Sequence, residues 1–352
     1  AELADAPHAA KEAGLHYVVE GSAGFMRRRV GKGFTYQSAD GGRVTDRAQL
    51  ARIRALAVPP AWTDVWISAN PRGHIQATGR DARGRKQYRY HSEFRTIRDS
   101  AKFQHLVAFA EALPRIRARV TADMGLPALP REKVVATVVD LLEATLIRVG
   151  NVDYARDNKS YGLTTLSNGH IKINGSELRF RFTGKSGRAW RVNLKSRRVA
   201  KVLRACQDLP GQQLFQYEGA DGEVHNVTST DVNDYLRAVS GLDISAKDFR
   251  TWAGTVDAAW GLRRAGAAAS EAEAKRELKA VLQEVAARLG NTVTICRKCY
   301  VHPQIIDFFL QGQLALAFEA SKGRRKSGLT PEEDAVLALL DPATRIPARA
   351  AA

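Results

Sequence analysis

The sequence predicts an α+β protein, with a small β-rich N-terminal domain over residues 1–100 and a mainly α-helical C-terminal domain over residues 101–352 that contains a small antiparallel sheet. Short runs of alternating apolar and polar residues dominate the first part and predict strands. Apolar residues at helical spacing dominate the second part. The 352 residues are enough for two domains with separate hydrophobic cores.

Four short runs in the N-terminal domain predict antiparallel strands. They are HYVVE (16–20), GFTYQ (33–37), DVWISA (64–69) and HIQATG (74–79), and Gly, Asn and Pro separate them. The segment DRAQLARIRALAV (46–58) has the apolar spacing of a helix, and the sequence PPAW that follows should end it.

The C-terminal domain should consist of helices on either side of a small sheet. The segments with helical spacing are 102–124, 132–150, 196–206, 229–239 and 246–260, and TPEED (330–334) has the cap, proline and glutamate of a helix start. The strand-like runs are YGLTTL (161–166), GHIKING (169–175), ELRFRF (177–182) and RAWRVNL (188–194). The turn TGKSG between the last two runs places Lys185 at a hairpin tip.

The chain is strongly basic, with 54 Lys+Arg against 37 Asp+Glu and a net charge of +17. This surplus favours a polyanionic partner, nucleic acid before a membrane surface. Between Arg72 and Arg98 there are eight cations and two acids, interleaved with aromatic residues. In RKQYRYHS the cations would meet phosphates while Gln and Tyr reach sugars or base edges. A solvated surface strand is the alternative interpretation.

The sequence contains no predicted membrane segment. The longest apolar run, 134–147, is too short to cross a bilayer and contains Asp140 and Glu143. The first 20 residues have no apolar signal-peptide core. Three cysteines in 352 residues fit a reducing compartment. We therefore expect a cytoplasmic protein with no membrane partner.

Two patterns resemble known sites but lack the residues that those sites require. Cys296 and Cys299 have C-x-x-C spacing, yet a structural zinc needs four ligands, and the histidines are isolated along the chain. The sequence TGKSG ends like a phosphate-binding loop, but the first glycine of that motif is replaced by Arg179. We expect ordinary thiols, no metal, no ATP site and no cofactor.

Five segments contain groups suited to chemistry at a phosphodiester. They are Arg148 in LIRVGN, Lys185 in FTGKSGRAW, Arg250 in KDFRTW, Asn291 in RLGNT and Tyr300 in CRKCYVHP. Guanidinium groups stay charged and match two phosphate oxygens. An ammonium group can protonate a departing oxygen, and a phenolic oxygen can attack phosphorus and retain it as an ester. Each residue alone has an ordinary structural interpretation, so only their joint order indicates a site.

In this order and spacing, the five segments resemble the type IB DNA topoisomerases of the poxvirus and bacterial kind. The resemblance also includes PPAWTDVWIS and TGRDARGRKQYRYH, and it extends over about residues 20–320. It implies the fold shared by topoisomerase IB and the tyrosine recombinases. It also implies that the protein relaxes supercoiled double-stranded DNA by transient single-strand cleavage, strand rotation and religation, without ATP or metal.

The resemblance assigns a role to each residue that matches the family's motifs. Tyr300 would form a 3′-phosphotyrosyl link, Arg148 and Arg250 would hold the non-bridging oxygens, and Lys185 would protonate the 5′ oxygen. Lys247 would assist. The segment that matches the family's DNA-contacting region supplies the candidates Arg80, Lys86, Gln87, Tyr88 and Tyr90. Family behaviour further implies a monomer that closes as a clamp around the duplex, associated with the nucleoid.

The chain departs from the family pattern at two places. Asn291 stands where the family often has His, and an amide can donate to a phosphate oxygen but cannot exchange a proton. Cys296-Arg297 replaces a Ser-Lys segment that is common before the tyrosine.

Two alternative functions share some of these residues. A tyrosine recombinase uses the same Arg-Lys-Arg-Tyr chemistry, but it typically has H-x-x-R where this chain has Lys247-Asp-Phe-Arg250. A non-catalytic DNA-binding protein would use the cations for phosphates alone, with a steep salt dependence and no covalent adduct.

Overall fold

The structure is a computed structural model that describes residues 6–19, 21–31, 33–82, 84–320 and 328–341, with side chains except at residues 9, 96–102 and 104. The chain divides into two compact units, Ala1–Gln104 and His105–Ala352. The first is rich in strands and the second is mainly helical with small antiparallel sheets, which confirms the predicted α+β class. Within the described residues, no helix is long and apolar enough to span a bilayer.

The first unit is built around a five-stranded antiparallel sheet with the strand order β2-β1-β3-β4-β5. Its elements are α1 (Ala6–Glu12), β1 (Gly24–Val30), β2 (Gly33–Gln37), α2 (Arg47–Ala55), β3 (Thr63–Ser68), β4 (Ile75–Arg80) and β5 (Lys86–Tyr90). Ile53 of α2 packs on Val65, Ile67 and Ala77 of the sheet. The long helix α3 (Ser92–Asp123) begins in this unit and continues into the second.

Two strand predictions in this unit differ from the structure. The run HYVVE forms only an isolated bridge between His16 and Gly73, and its last residue lies outside the described residues. The strand β1, GFMRRRV, was not predicted because three consecutive arginines obscure its alternation. Arg27 fits this strand because its guanidinium lies 4.2 Å from the Phe34 ring centroid and donates to backbone carbonyls, including that of Trp62 at 2.7 Å.

The second unit contains ten helices after α3 and two small sheets within the described residues. The helices are α4 (Arg131–Thr145), α5 (Val152–Asn158), α6 (Arg197–Gln207), α7 (Ser229–Ser240), α8 (Ala246–Ala265), α9 (Glu271–Leu289), α10 (Val293–Tyr300), α11 (Pro303–Leu310), α12 (Leu314–Ala320) and α13 (Pro331–Leu340). The strands are β6 (Ile171–Asn174), β7 (Glu177–Thr183), β8 (Ala189–Lys195), β9 (Gln216–Glu218) and β10 (Val224–Asn226).

The predicted hairpin around Lys185 is confirmed. β7 and β8 pair from Glu177–Lys195 to Thr183–Ala189, and a short 3-10 turn, Lys185–Gly187, forms the tip. The prediction of a strand at YGLTTL is wrong, because Leu163–Thr165 forms a 3-10 turn. The backbone N–H groups of Leu163 and Thr164 bond to the segment after α4, and that of Thr165 bonds to Gly162 within the turn.

Several helix boundaries also differ from the predictions. α4 ends at Thr145 and not at Gly150, because Leu146 adopts left-handed backbone angles and the chain then becomes extended. α2 ends at Ala55 and not at residue 58. α5 and α9 were not predicted. The predicted Thr330 cap of α13 is present as a reciprocal capping box with Glu333. At the start of α8, the Asp248 carboxylate accepts from the backbone N–H and the hydroxyl of the N-cap residue Ser245.

Candidate active site

A cavity of about 320 Å³ in the helical unit brings most of the predicted site residues together. Arg148, Lys185, Lys247, Arg250 and Tyr300 all line it. These residues come from the segment after α4, the β7–β8 hairpin, α8 and the end of α10. Four separate parts of the chain therefore converge on one space.

One face of α8 determines how the Arg250 guanidinium is placed against the Tyr300 ring. Lys247, Arg250 and Gly254 follow at helical spacing and lie on the same face. A Cβ added to Gly254 would lie 2.6 Å from the carbonyl oxygen of Tyr300, so α10 can approach only because this residue is glycine. The hydroxyl of Thr255 accepts a further hydrogen bond from the backbone N–H of His302 at 3.1 Å. The Tyr300 ring consequently lies over the Arg250 guanidinium, with 5.1 Å between Cζ and the ring centroid.

Arg250 is 2% exposed and is fixed by the ends of two helices. Its Nη1 donates to the carbonyl oxygen of Leu146 and its Nη2 to that of Leu289 at 2.6 Å. These carbonyls end α4 and α9, where the negative end of each helix dipole favours a cation. Its Nε is also buried and has no hydrogen-bond partner among the described residues. A buried donor without an acceptor costs about 1–3 kcal/mol, so this atom marks a position suited to an anionic ligand.

Arg148 extends from a backbone segment that glycine holds in place. Leu163 N–H donates to the Arg148 carbonyl at 2.9 Å, and a Cβ on Gly162 would lie 2.6 Å from that same oxygen. The Arg148 side chain is half-buried, and its Nη2 donates to Oδ1 of Asn291. Because a guanidinium can only donate, this bond fixes the orientation of the Asn291 amide.

Asn291 therefore presents its Nδ2 as a free donor. This atom is buried and has no hydrogen-bond partner among the described residues. The residue lies just after α9, and its own backbone N–H is bonded to the Ala286 carbonyl at 2.9 Å. Two buried donors thus have no acceptor among the described residues: Nε of Arg250, which lines the cavity, and Nδ2 of Asn291, which does not line it but is bonded to the lining residue Arg148.

The environment of Tyr300 lowers the pKa of its phenol. Burial alone would raise that pKa, since the side chain is 8% exposed. The positive charge of Arg250, followed by the charges of Arg148 and Lys247, outweighs burial and brings the pKa below its ordinary value. The phenol is therefore easier to ionise in this cavity than in water, as a nucleophile requires.

Lys185 is held differently from the buried groups. It is exposed at the hairpin tip, and its Nζ lies 5.8 Å from the ring centroid of Tyr154 on α5. Tyr154, Asn151 and Tyr161 also line the cavity and were not predicted as site residues. One local sequence feature could have indicated Asn151 and Tyr154. Asn151 is a helix-capping residue type, and its side chain accepts from Tyr154 N–H at 2.8 Å at the start of α5.

The two cysteines with C-x-x-C spacing both lie on α10. Cys296 is fully buried, and burial raises the pKa of its thiol to about 11. Cys299 is half-buried, and both cysteines are free. Among the described residues, no group of three or more His, Cys, Asp or Glu side chains is arranged to hold a metal ion.

The five N-terminal candidates lie on β4 and β5 of the first unit. Lys86, Tyr88 and Tyr90 alternate along one face of β5, with the two tyrosine rings stacked at 5.8 Å. Arg80 pairs with Lys86 across the strands, and Tyr88 is 43% exposed. Gln87 points to the other face, where its Nε2 donates to Asp81 at 3.0 Å.

Comparison with known proteins agrees with this geometry. Residues 91–315 match the model of the eukaryotic DNA topoisomerase I catalytic core, and residues 33–81 match the N-terminal domain of bacterial DNA topoisomerase IB. DNA topoisomerase 1B of Acanthamoeba polyphaga mimivirus is 28% identical over 293 residues, which are 81% of this chain and 87% of that protein. DNA topoisomerase 1B of vaccinia virus (strain Copenhagen) is 21% identical over 264 residues, 72% of this chain and 80% of that protein.

The catalytic-core match alone extends over more than half of the chain. It includes all of the residues that line the cavity. The chain therefore belongs to the type IB DNA topoisomerase family and is a DNA-binding isomerase.

Proposed function

We propose that this protein relaxes supercoiled double-stranded DNA through a 3′-phosphotyrosyl intermediate on Tyr300. The observation that carries the proposal is the position of the Tyr300 ring over the buried Arg250 guanidinium, in one cavity with Arg148 and Lys185. The phenol there has a lowered pKa. The buried donors on Arg250 and Asn291 have no acceptor among the described residues, which suits a phosphate at this position.

In the cleavage step, Tyr300 would lose its phenolic proton to solvent, its oxygen would attack phosphorus, and the bond from phosphorus to the 5′ oxygen would break. Extra negative charge develops on the two non-bridging oxygens in the transition state. Arg148, Arg250 and the Nδ2 group of Asn291 would donate to these oxygens. Donors fixed in a buried site stabilise such charge most effectively, because they need no reorganisation when it develops.

The departing 5′ oxygen would receive its proton from Lys185. An alkoxide is a poor leaving group, so a positioned acid lowers the barrier by proton transfer. Lys247 lines the same cavity and would support the charge of the bound phosphate. Its position one turn before Arg250 on α8 places it beside the buried guanidinium.

Religation reverses these two steps. The phosphotyrosyl ester conserves the energy of the broken bond, so we expect no requirement for ATP. Two guanidinium groups supply the positive charge at the phosphate, so we expect no requirement for a divalent metal. While the strand is open, the free 5′ end would rotate about the intact strand and release supercoils.

The β-rich unit would supply further DNA contacts. Lys86, Tyr88 and Tyr90 lie on one face of an edge strand, where cations and stacked rings suit phosphates and sugars. Arg80 adjoins this face, whereas Gln87 would need to exchange its bond to Asp81 for a contact with DNA. We propose a monomer that closes as a clamp around the duplex and associates with the nucleoid.

A supercoiled plasmid assay in EDTA without ATP tests the proposal. The protein should relax the plasmid, and Tyr300→Phe should bind the same DNA with no relaxation. Tyr217→Phe serves as the matched control, since it removes one phenol of the helical unit that does not line the cavity, and it should still relax the plasmid. Supercoiling that stays unchanged at all protein concentrations, or relaxation by Tyr300→Phe equal to that of the unmodified protein, would refute the proposal.

A further inference from the structure

Trp190 lies between the Lys185 hairpin and the Asn291 segment. It is on β8, 8% exposed, and its ring stacks on Phe182 of β7 with 6.1 Å between centroids and 2° between planes. A Cβ on Gly184 would lie 2.6 Å from Trp190 Nε1, at the pyrrole edge of the indole. A Cβ on Gly290 would lie 2.6 Å from Trp190 Cζ2, two bonds from Nε1 along the same edge of the indole.

The two glycines that contact the indole each precede a site residue. Gly184 is followed by Lys185, and Gly290 is followed by Asn291. No Cβ fits at either position without displacing the ring, since real contacts of this kind are essentially never shorter than 3.0 Å. The nitrogen-bearing edge of the indole therefore packs against both the backbone that carries the ammonium group and the backbone that carries the amide.

A hydrogen bond supports this contact from the far side of the hairpin tip. Arg188 Nη2 donates to the carbonyl oxygen of Ala287 in the last turn of α9 at 2.7 Å. The carbonyl oxygen of Leu289, also at the end of α9, accepts from Arg250. The hairpin tip is thus joined to the helix end that also holds the buried guanidinium.

We propose that Trp190 is a positioning residue, which sets the distance between the Lys185 ammonium and the phosphate held by Asn291 and Arg250. The inference rests on the proposed function, in which Lys185 protonates the 5′ oxygen. An exposed lysine on a two-stranded tip has many accessible positions, and a misplacement of about 1 Å can reduce a catalysed rate by about 100-fold. Close packing of a rigid indole on two glycines removes much of that freedom.

Replacing the bridging 5′ oxygen by sulfur separates this role from general damage to the fold. A thiolate leaves without a proton, so cleavage of the sulfur-linked strand does not need the acid, while attack by Tyr300 and phosphate binding remain necessary. Single-turnover cleavage of oxygen-linked and sulfur-linked duplexes gives a rate ratio for each variant. That ratio reports on protonation of the leaving group.

We expect Trp190→Ala to reduce cleavage of the oxygen-linked duplex by about 100-fold and of the sulfur-linked duplex by less than about 3-fold. Trp190→Phe, which keeps a ring, should recover part of the oxygen rate. Arg188→Ala removes an exposed side chain with its hydrogen bond to Ala287, so it should fold normally and show a smaller selective loss of about 3- to 10-fold.

Gly290→Ala tests the contact of the indole with the Asn291 segment. Its matched control is Gly241→Ala, because both glycines end a helix at φ 65°, but nothing lies within 4 Å of a Cβ at Gly241. Gly290→Ala should reduce the oxygen rate selectively, whereas Gly241→Ala should change neither rate.

The possible outcomes distinguish this inference from the function on which it rests. If Lys185→Ala loses equal rate on both duplexes, then Lys185 is not the acid, and the proposed leaving-group step fails. If Lys185→Ala is rescued by sulfur but Trp190→Ala and Arg188→Ala lose equal rate on both duplexes, the function stands and the positioning role of Trp190 is overturned. A loss of cleavage rate on the oxygen-linked duplex alone, in all three variants, supports the proposal.

Discussion

The two sides of the catalytic cavity are held in opposite ways. On one side, Arg250 and Tyr300 are buried, and backbone carbonyls at two helix ends fix the guanidinium. On the other side, Lys185 is exposed at a hairpin tip, with an aromatic ring of α5 as its neighbour. Charge stabilisation at a phosphate benefits from fixed, dehydrated donors. A proton donor must reach the leaving oxygen of a bulky duplex, and an exposed tip allows that approach.

The largest expected effect is the loss of the buried guanidinium. Arg250→Ala should reduce the single-turnover cleavage rate by about 1,000-fold or more, because the donor and its charge are lost together. It should also lower the free energy of unfolding by roughly 3 kcal/mol, since the carbonyls of Leu146 and Leu289 lose their donor. Arg264→Ala, on the exposed side of the same helix, is the control for both measurements. Near-normal cleavage by Arg250→Ala would show that the buried guanidinium is not needed for cleavage.

The exposed side should lose activity without losing stability. Lys185→Ala should reduce cleavage by about 1,000-fold, within the usual range for a general acid. Its free energy of unfolding in urea should change by no more than about 0.5 kcal/mol, as for other exposed positions. Lys195→Ala, at the far end of β8, should change neither quantity. A stability loss as large as that of Arg250→Ala would show that the contrast between the two sides is wrong.

The amide of Asn291 should have a smaller effect than either cation. Asn291→Ala removes one neutral donor, and we expect about a 100-fold loss of cleavage with DNA binding retained. Asn291→His restores a donor and should recover most of the rate. Asn193→Ala on the exposed face of β8 is the control. Equal rates for Asn291→Ala and the unmodified protein would mean that its unpaired Nδ2 has no role in cleavage.

The buried side should also make stability depend on pH. Burial lowers the pKa of His302, two residues after Tyr300, to about 4 from its ordinary value of 6.5. The unfolded chain then binds more protons between these values, so stability is full above pH 6.5 and falls as pH decreases towards 4. Between pH 7 and 5.5 the loss from this residue should be about 1 kcal/mol.

His302→Asn should flatten this part of the pH profile. The side chain of His302 caps α11 by accepting from Gln304 N–H at 3.1 Å, and Asn retains a capping oxygen without titrating. Urea unfolding at pH 7 and 5.5 measures the difference. The same acid-induced loss in His302→Asn would assign it to other groups.

The sequence was sufficient for the parts of the site that depend on local pattern and on the family resemblance. The hairpin under Lys185 follows from alternation and glycine, and the capped start of α8 places Arg250 on a helix. What it did not reveal depends on contacts between distant segments. The end of α4 at Leu146 accompanies a hydrogen bond from Arg250, 104 residues away in sequence. No local pattern distinguishes such a helix end.

The role of Trp190 could not be predicted for the same reason. Its contact with Gly290 joins residues 100 positions apart, and each residue alone has an ordinary interpretation as a strand aromatic or a helix-ending glycine. The missed strand β1 illustrates a second limit. On this strand, Arg27 contacts the Phe34 ring and donates to three backbone carbonyls of another loop. Hydrophobic periodicity does not show such contacts.

Mapping of the covalent adduct tests the central claim most directly. The protein is incubated with a duplex that contains a nick just after the cleavage site, so that the released strand diffuses away, and the trapped protein is digested and analysed by mass spectrometry. The account predicts a nucleotide attached through its 3′ phosphate to the peptide that contains Tyr300, and no adduct with Tyr300→Phe. A nucleotide on any other residue, or plasmid relaxation without a covalent adduct, would contradict it.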